Sequence, residues 1–484
     1  MQNNIALRPQ KVLLAIPPTG LYIREDRCQT PIDKMKTIAP RPPIDMLYIA
    51  AILRRSGVYC EVRDYPVEEL TEEDLIQDMH TLQPDWVIMS ITTPGLKEDL
   101  RLISSLKKRF PRTLFIIKGA HFNAYDLDIQ TLEECPELFA VIRGEYEDTF
   151  QQWMNADSLE GVRGLTYNWE DKIIRNSGKG MVENLDTLPF PARDLINNSL
   201  YRRPDTGEPQ TMIVTSRGCP YKCTFCLSQL VSGTKVRLRS PRNIVDEIIE
   251  CRDVYKIRNF LFRSDTFTVN RKWLRELCRL IRQECPDIAW VCNSRVDLFT
   301  EDIAHLIKEA GCWLVAFGVE SGDQEVLESV GKDATLEQAS DALKICEKTG
   351  LMSSIYILLG LPGETPQSFK KTMKMLWKLD PDFVEFFYVY PFPGSKIYEE
   401  VVAEGLMRDK EFPRTAYEGP AFATRHFTVE ELNKQRFYLW MNFYLRPSYL
   451  WKVIRYNITS PRVLGRYFLR GMAQMIAFLR KETK

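Results

Sequence analysis

Between residues 11 and 145, short apolar runs alternate with amphipathic stretches. KVLLAIPP (11–18) reads as a buried strand that ends in a loop, and PPIDMLYIAAILRRSG (42–57) as a helix stopped by Gly57. YCEVRDY (59–65), PDWVIMSIT (84–92), TLFIIKGAH (113–121) and LFAVIRGE (138–145) read as further strands; EEDLIQDMHTLQ and GLKEDLRLISSLKKRF read as helices between them. Continuous apolar runs separated by helices predict parallel βαβ units and a Rossmann-like sheet. Ligands of such sheets lie at the carboxyl ends of the strands, which here read PPTG, ITTPG, KGAHF and RGEYED.

Residues 151–205 hold no long periodic segment and read as a linker with a small β element, GLTYNW, followed by the proline-rich LPFPARDL (188–195). A second alternating series starts at Thr211. Its strands are TMIVTSRG (211–218), FLFRSDTF (260–267), AWVCNSRVD (289–297), CWLVAFGVESG (312–322), SSIYILLGLPGE (353–364) and DFVEFFYVYPFPGS (382–395), with helical stretches between them. Six consecutive βα units predict an incomplete (β/α)6 barrel of the TIM type, with its chemistry on the loops after the strands. The fold class is therefore α/β. A Rossmann-like domain (1–150) and a linker (151–205) precede a partial barrel (206–405) and a helical, basic and aromatic C-terminal region (406–484). From residue 435 onward that region has ten Lys or Arg against one acidic residue. Its pattern leaves three readings open: contact with a membrane surface, a cover over a substrate cleft, or helices packed on the barrel with basic outer faces.

The chain has 484 residues, which implies more than one core. Lys plus Arg and Asp plus Glu both number 65, so the net charge is zero and a nucleic-acid partner held by electrostatics is not expected. The opening MQNNIALRPQ lacks the layout of a signal peptide, and no apolar run approaches the length that spans a bilayer, so the expected location is cytoplasmic. Twelve cysteines in such a compartment are not a disulfide framework. Nine of them (28, 60, 135, 251, 278, 285, 292, 312 and 346) are scattered among apolar neighbours and read as small buried hydrophobes.

The other three stand together in SRGCPYKCTFC (216–226), as Cys219, Cys223 and Cys226. Thiolates suit zinc or iron–sulfur clusters. A structural zinc site needs four closed ligands, so here it would require a distant partner. An iron–sulfur cluster bound by three cysteines keeps one iron open. Gly218 and Pro220 fit a loop that wraps a bulky group.

The C-x3-C-x-aromatic-C spacing, with Phe225 as the aromatic residue, strongly resembles that of the radical S-adenosylmethionine (SAM) superfamily. The resemblance implies that the three cysteines hold a [4Fe–4S] cluster whose open iron binds SAM. Reduction of SAM then yields a 5′-deoxyadenosyl radical, with the electron drawn from a reductase or a flavodoxin- or ferredoxin-type donor. Phe225 would pack near the adenine. FRSDTF (262–267) with Asp265, FGVESG (317–322) with Glu320 and Ser321, GLPGET (360–365) with Gly360 and Gly363, and YPFPGS (390–395) stand where the family carries its later strand-end motifs. Arg295 is a candidate for the SAM carboxylate or for substrate. From the residues alone, Asp265 is equally a helix cap and each Pro-Gly equally a turn.

A Rossmann-like domain ahead of such a barrel resembles the cobalamin-binding subgroup. The matching residues are Pro17-Pro18, Ser90-Ile91-Thr92-Thr93, Gly119-Ala120-His121 and Gly144-Glu145-Tyr146-Glu147. By resemblance Pro18, Ser90, Thr92, Thr93, Gly119, Ala120, His121, Gly144 and Glu145 contact cobalamin. Ala120 and Tyr146 stand where the subgroup has glycine. No D-x-H-x-x-G motif is present, so a histidine on the lower face of cobalt is not expected, and His121 reads equally as a loop or packing residue. The absence of G-x-G-x-x-G after the first strand disfavours NAD and FAD. Three functions remain open. The first is methylation of an unreactive carbon of a small-molecule, lipid-like or natural-product substrate. The second is an oxidative cyclisation or rearrangement that uses the same cofactors, and the third is a non-enzymatic iron–sulfur or cobalamin sensor.

Overall fold

The computed structural model describes residues 7–22, 29, 39–407, 419–458 and 461–482; Cys28 lies outside them. The first sheet contains β1 (Lys11–Ile16), β2 (Tyr59–Asp64), β3 (Trp86–Ser90), β4 (Leu114–Lys118), β5 (Leu138–Ile142), β6 (Leu165–Trp169) and β7 (Lys172–Arg175). Its order is β2-β1-β3-β4-β5-β6-β7. The first five strands are parallel, and β6 and β7 add an antiparallel edge. β1, β3, β4 and β5 are almost wholly buried between helix layers, which explains their unbroken apolar runs. The strand order reverses between β1 and β3, so the loops after these two strands flank the crevice where such sheets bind ligands.

Part of the segment read as a linker thus completes the first sheet. The rest stitches the two halves together. Arg193, fully buried, donates to Glu247 at 2.5 Å and to the Met212 carbonyl at 2.8 Å, while the Tyr201 hydroxyl donates to Asp64 at 2.9 Å.

The second sheet contains β8 (Gln210–Val214), β11 (Asn259–Arg263), β12 (Ala289–Ser294), β13 (Cys312–Glu320), β14 (Met352–Leu359) and β15 (Phe383–Tyr388). A two-stranded ribbon, β9 (Ser216–Arg217) with β10 (Arg237–Leu238), rises from the end of β8. The six strands are parallel in the order β15-β14-β13-β12-β11-β8, and the edge strands do not pair with each other. The sheet is an open partial barrel. Phe260, Phe262, Trp290, Val315, Phe317, Ile355 and Phe386 point outward into one core with the surrounding helices. The alternate positions Leu261, Val291, Tyr356 and Glu385 stay half-buried on the inner face. The sequence-based strands correspond one for one to these, but several of their boundaries ran on into the functional loops.

The eight scattered cysteines that are described are all buried, as expected of small hydrophobes. The helix Val429–Tyr444 begins with a capping box, Thr428 with Glu431, and packs Leu432, Leu439, Trp440 and Phe443 on the barrel. Helices Pro447–Asn457 and Pro461–Glu482 follow it. No helix among the described residues is long and apolar enough to cross a membrane.

Candidate active site between the two sheets

The three cysteines sit on the loop between β9 and the short helix Ser228–Ser232. Unlike the other described cysteines, all three are only half-buried. The loop is tied by its backbone: Cys219 N–H donates to the Gly233 carbonyl, Cys226 N–H to Cys223, and Thr224 N–H to Val330. Gly218 opens it with φ +90°, and a Cβ there would lie 2.2 Å from the Lys235 carbonyl oxygen, so only glycine fits.

Side chains brace the same loop. Asp265, at the end of β11, accepts from Gly218 N–H at 2.7 Å and from the Ser228 hydroxyl at 2.8 Å. It does not cap the next helix; Asn270 does. Arg295 is salt-bridged to Asp297 at 2.9 Å, donates to the Asp333 carbonyl at 2.7 Å, and stacks 3.4 Å from the Tyr221 ring centroid. Both residues, picked from the sequence as SAM contacts, are held against the cysteine loop.

Glu320 has φ +70° at a bulge in β13. Its carboxylate pairs with Lys332 at 3.0 Å, both side chains being buried. Burial alone would drive the Lys332 ammonium down, but Glu320 and then Cys223 hold it above its ordinary value. Burial pushes the Cys223 thiol up to about 11, opposed by Lys332. Lys332 went unrecognised in the sequence because it lies in a loop with no motif of its own. Ser321 is buried and accepts from Asp323 N–H at 3.2 Å. Gly360 and Gly363 both have positive φ, and Gly360 N–H donates to the buried Glu364 at 2.8 Å. Phe225 packs against an apolar cluster that includes Leu227, Val231, Val330, Leu361 and Ala120.

Ala120 belongs to the first domain, so this cluster joins the two sheets. The other first-domain candidates gather at the same face. Pro18 is half-buried after β1, and Ser90 is buried at the end of β3. Thr92 caps the following turn by accepting from Gly95 N–H at 3.2 Å. Gly119 is extended, and a Cβ there would lie 2.4 Å from the Ile91 carbonyl oxygen, so the glycine lets two strand ends meet. His121 is buried, and that burial lowers its pKa to about 4, so the imidazole is neutral at ordinary pH. Gly144 pairs with Gly180 and donates to the Asn123 side chain at 2.6 Å. Lys118, buried at the end of β4, is ion-paired to Asp45 and lies 4.4 Å from the Tyr146 ring centroid.

The loop after β5 is locked to the ribbon that carries the cysteines. Glu145 accepts from Arg237 at 2.5 and 2.7 Å and from Val182 N–H at 2.8 Å. Glu147 accepts from Arg217 at 2.6 and 3.0 Å. Burial opposes the Glu147 carboxylate, but Arg217 outweighs it and holds its pKa below the usual range. These partners are 70 and 92 residues apart, so single-sequence reading could not pair them. Between the two loops lies a small cleft bounded by Gly144, Glu147, Ser216, Arg217, Ser228 and Asp265.

The residues present fit the expected cofactors. Among the described residues, no three His, Cys, Asp or Glu side chains are grouped to hold a single metal ion. Three cysteines on a bent loop, each binding its own iron of a cluster, meet no such requirement. In the first domain, the Thr93 hydroxyl oxygen is buried with no hydrogen-bond partner among the described residues, at the crevice beside β1 and β3. A bound ligand would satisfy it.

Comparison with known proteins agrees. Residues 213–376 match the radical SAM superfamily model, and residues 39–153 match the B12 binding domain model. The chain is 32% identical over 452 residues to an uncharacterized methyltransferase of Pyrococcus horikoshii, covering 93% of this chain and 95% of the relative. It is 25% identical over 417 residues to an anaerobic magnesium-protoporphyrin IX monomethyl ester cyclase of Cereibacter sphaeroides, covering 82% and 67%. Its fold matches the structure of the cobalamin-dependent SAM radical enzyme OxsB with aqua-cobalamin and SAM bound (TM-score 0.71, 16% identity, 97% of this chain and 72% of that one). The chain belongs to the radical SAM superfamily, in its cobalamin-binding branch. It is an enzyme of that branch, working with a [4Fe–4S] cluster, SAM and cobalamin.

Proposed function

We propose that this enzyme transfers a methyl group from cobalamin to an unreactive carbon of a small molecule. The carrying observation is the full-length likeness to a methyltransferase, joined to a cleft bounded by both cofactor-bearing loops. When bound, the cofactors supply the hard chemistry: a 5′-deoxyadenosyl radical to activate the carbon, and a methyl group to replace its hydrogen. In this reading Cys219, Cys223 and Cys226 hold the cluster. The Gly360–Glu364 turn and Ser321 line the SAM side, while Thr93 and the strand ends at Ser90, Gly119 and Gly144 line the cobalamin side. Asp265, Arg295 and Lys332 hold the cysteine loop in place. The Glu145–Arg237 and Glu147–Arg217 pairs fix the distance between the two cofactor loops. A flavodoxin- or ferredoxin-type protein supplies the electron.

The test is anaerobic incubation of the reconstituted enzyme with methyl-labelled SAM, dithionite and a small-molecule extract of the source cells. Label in an extracted small molecule, together with 5′-deoxyadenosine, supports methyl transfer. Extract-dependent 5′-deoxyadenosine without transferred label favours the cyclase-type reading, for which the cyclase relative speaks. Loaded enzyme that forms no 5′-deoxyadenosine under any of these conditions overturns both.

A further inference from the structure

Fourteen large apolar side chains are exposed among the described residues, and eight of them lie between Leu445 and Ile476. More than half the exposed apolar groups thus fall within a small fraction of the chain, so they are not the single scattered residues expected of any surface. On the helix Pro461–Glu482, Phe468, Leu469, Met472 and Ile476 are all exposed, Leu469 at 68% and Met472 at 54%. Their spacing places them within an arc of roughly 100° of the helix. Other sides of the helix face the protein: the Tyr467 ring stacks on Phe383 of β15 and Arg466 donates to the Asp205 carbonyl, while Met475, at the edge of the apolar arc beside Phe468, packs on the barrel core. The helix is therefore docked on the protein and leaves an apolar face outward. Beside it, the helix Pro447–Asn457 exposes Trp451 (67%), Arg455 and Tyr456, and Ile458 (68%) follows it.

We infer that this outward face seats on an anionic lipid surface. The sign of the charge selects that occupant. From residue 435 onward the chain carries ten Lys or Arg and one acidic residue; Arg446 and Lys452 pair with Asp380 and Asp382 of the barrel, so the outward charge that matters is on the exposed arginines. Exposed Arg455 and Arg462 flank the apolar arc. A second copy of the same face would bring like charges together, whereas an anionic surface neutralises them. Trp and Tyr beside aliphatic residues and arginines suit the headgroup boundary, where an aromatic ring buries its body and keeps its polar tip wet. The helix would lie in the interface, since it is not apolar enough to cross.

The experiment uses the full, cluster-loaded protein in flotation with vesicles of phosphatidylcholine alone or mixed with phosphatidylglycerol, at low and high salt. Binding is expected on the mixed vesicles and is expected to weaken as salt rises. A variant with Phe468→Ser, Leu469→Ser, Met472→Ser and Ile476→Ser should lose binding by more than about tenfold. Arg455→Glu with Arg462→Glu should lose it at low salt. Both variants should keep wild-type iron content and 5′-deoxyadenosine formation, which shows that they fold. Wild-type protein that ignores anionic vesicles overturns the inference. So does binding unchanged in both variants. A dimer by light scattering that the serine variant converts to monomer, without vesicle binding by either protein, identifies the face as a contact between copies instead.

Discussion

Asp265 separates two roles that the sequence left merged. Its carboxylate accepts one bond from Gly218 N–H and one from the Ser228 hydroxyl, one at each end of the cysteine loop. A hydrogen bond to a charged group contributes about 1.5–3 kcal/mol. Asp265 is only half-buried, so water replaces part of that after truncation. Asp265→Ala is then expected to loosen the loop by about 2–4 kcal/mol, on the order of a hundredfold in the ordered fraction. Asp265→Asn keeps an acceptor for Gly218 N–H and offers an amide that the Ser228 hydroxyl can accept, so it should cost about 1 kcal/mol. Iron and sulfide per chain after anaerobic reconstitution, with the electron-spin signal of the reduced cluster, give the readout. Alanine should lose most of the cluster and asparagine little, with SAM binding falling in step with the cluster. An alanine variant with full iron and selectively weakened SAM binding would refute the bracing role and restore a direct contact with SAM.

Three further outcomes follow from the same geometry. Arg237→Met leaves the buried Glu145 carboxylate with only part of its partners, at a cost of about 3 kcal/mol; calorimetry should show the loss, and limited proteolysis should cut between the two sheets sooner. Gly218→Ala forces a Cβ to 2.2 Å from the Lys235 carbonyl at φ +90° and should abolish cluster assembly, whereas Gly57→Ala, also at positive φ but with nothing within 4 Å, should cost about 1 kcal/mol and leave iron content unchanged. Burial raises Glu364 to about 7, so the native state keeps a proton that the unfolded chain releases; the stability this contributes is fully present below the ordinary carboxylate range and is lost as pH rises through 7. Glu364→Gln, which cannot ionise, should therefore gain relative to wild type between pH 5 and 8, by up to about 3 kcal/mol in urea unfolding, and an equal difference at both pH values would count against it.

What the sequence made legible follows from the range over which each force acts. Strands buried on both faces must be apolar throughout, so β1, β3, β4 and β5 announced themselves. The cysteine spacing was legible because one loop carries all three thiols. β6 was read as a small β element of a linker and β7 not at all, because both are short and their place at the sheet edge depends on the pairing of β6 with β5. A glycine marks a point of close approach but does not say what approaches: at Gly119 the Ile91 carbonyl does. The tail showed aromatic and basic residues without saying which face docks. Tyr444 and Tyr449 turn inward to bond β15 and its preceding loop, while Trp451 and Phe468 turn outward.

The ion pairs between the halves were the least legible feature and the most consequential for the chemistry. A buried carboxylate–guanidinium pair costs much to desolvate and more to break, so it adds little net stability but strongly opposes separation of its two carriers. Two such pairs, Glu145–Arg237 and Glu147–Arg217, join the chain after β5 to the β9–β10 ribbon that brackets the cysteine loop. Arg217 also reaches Glu145 at 3.5 Å, so the two pairs form one linked cluster across the seam. The spacing between the cysteine loop and the chain after β5 is therefore set by the fold, and fixed orientation of reacting groups is where a protein contributes most to rate.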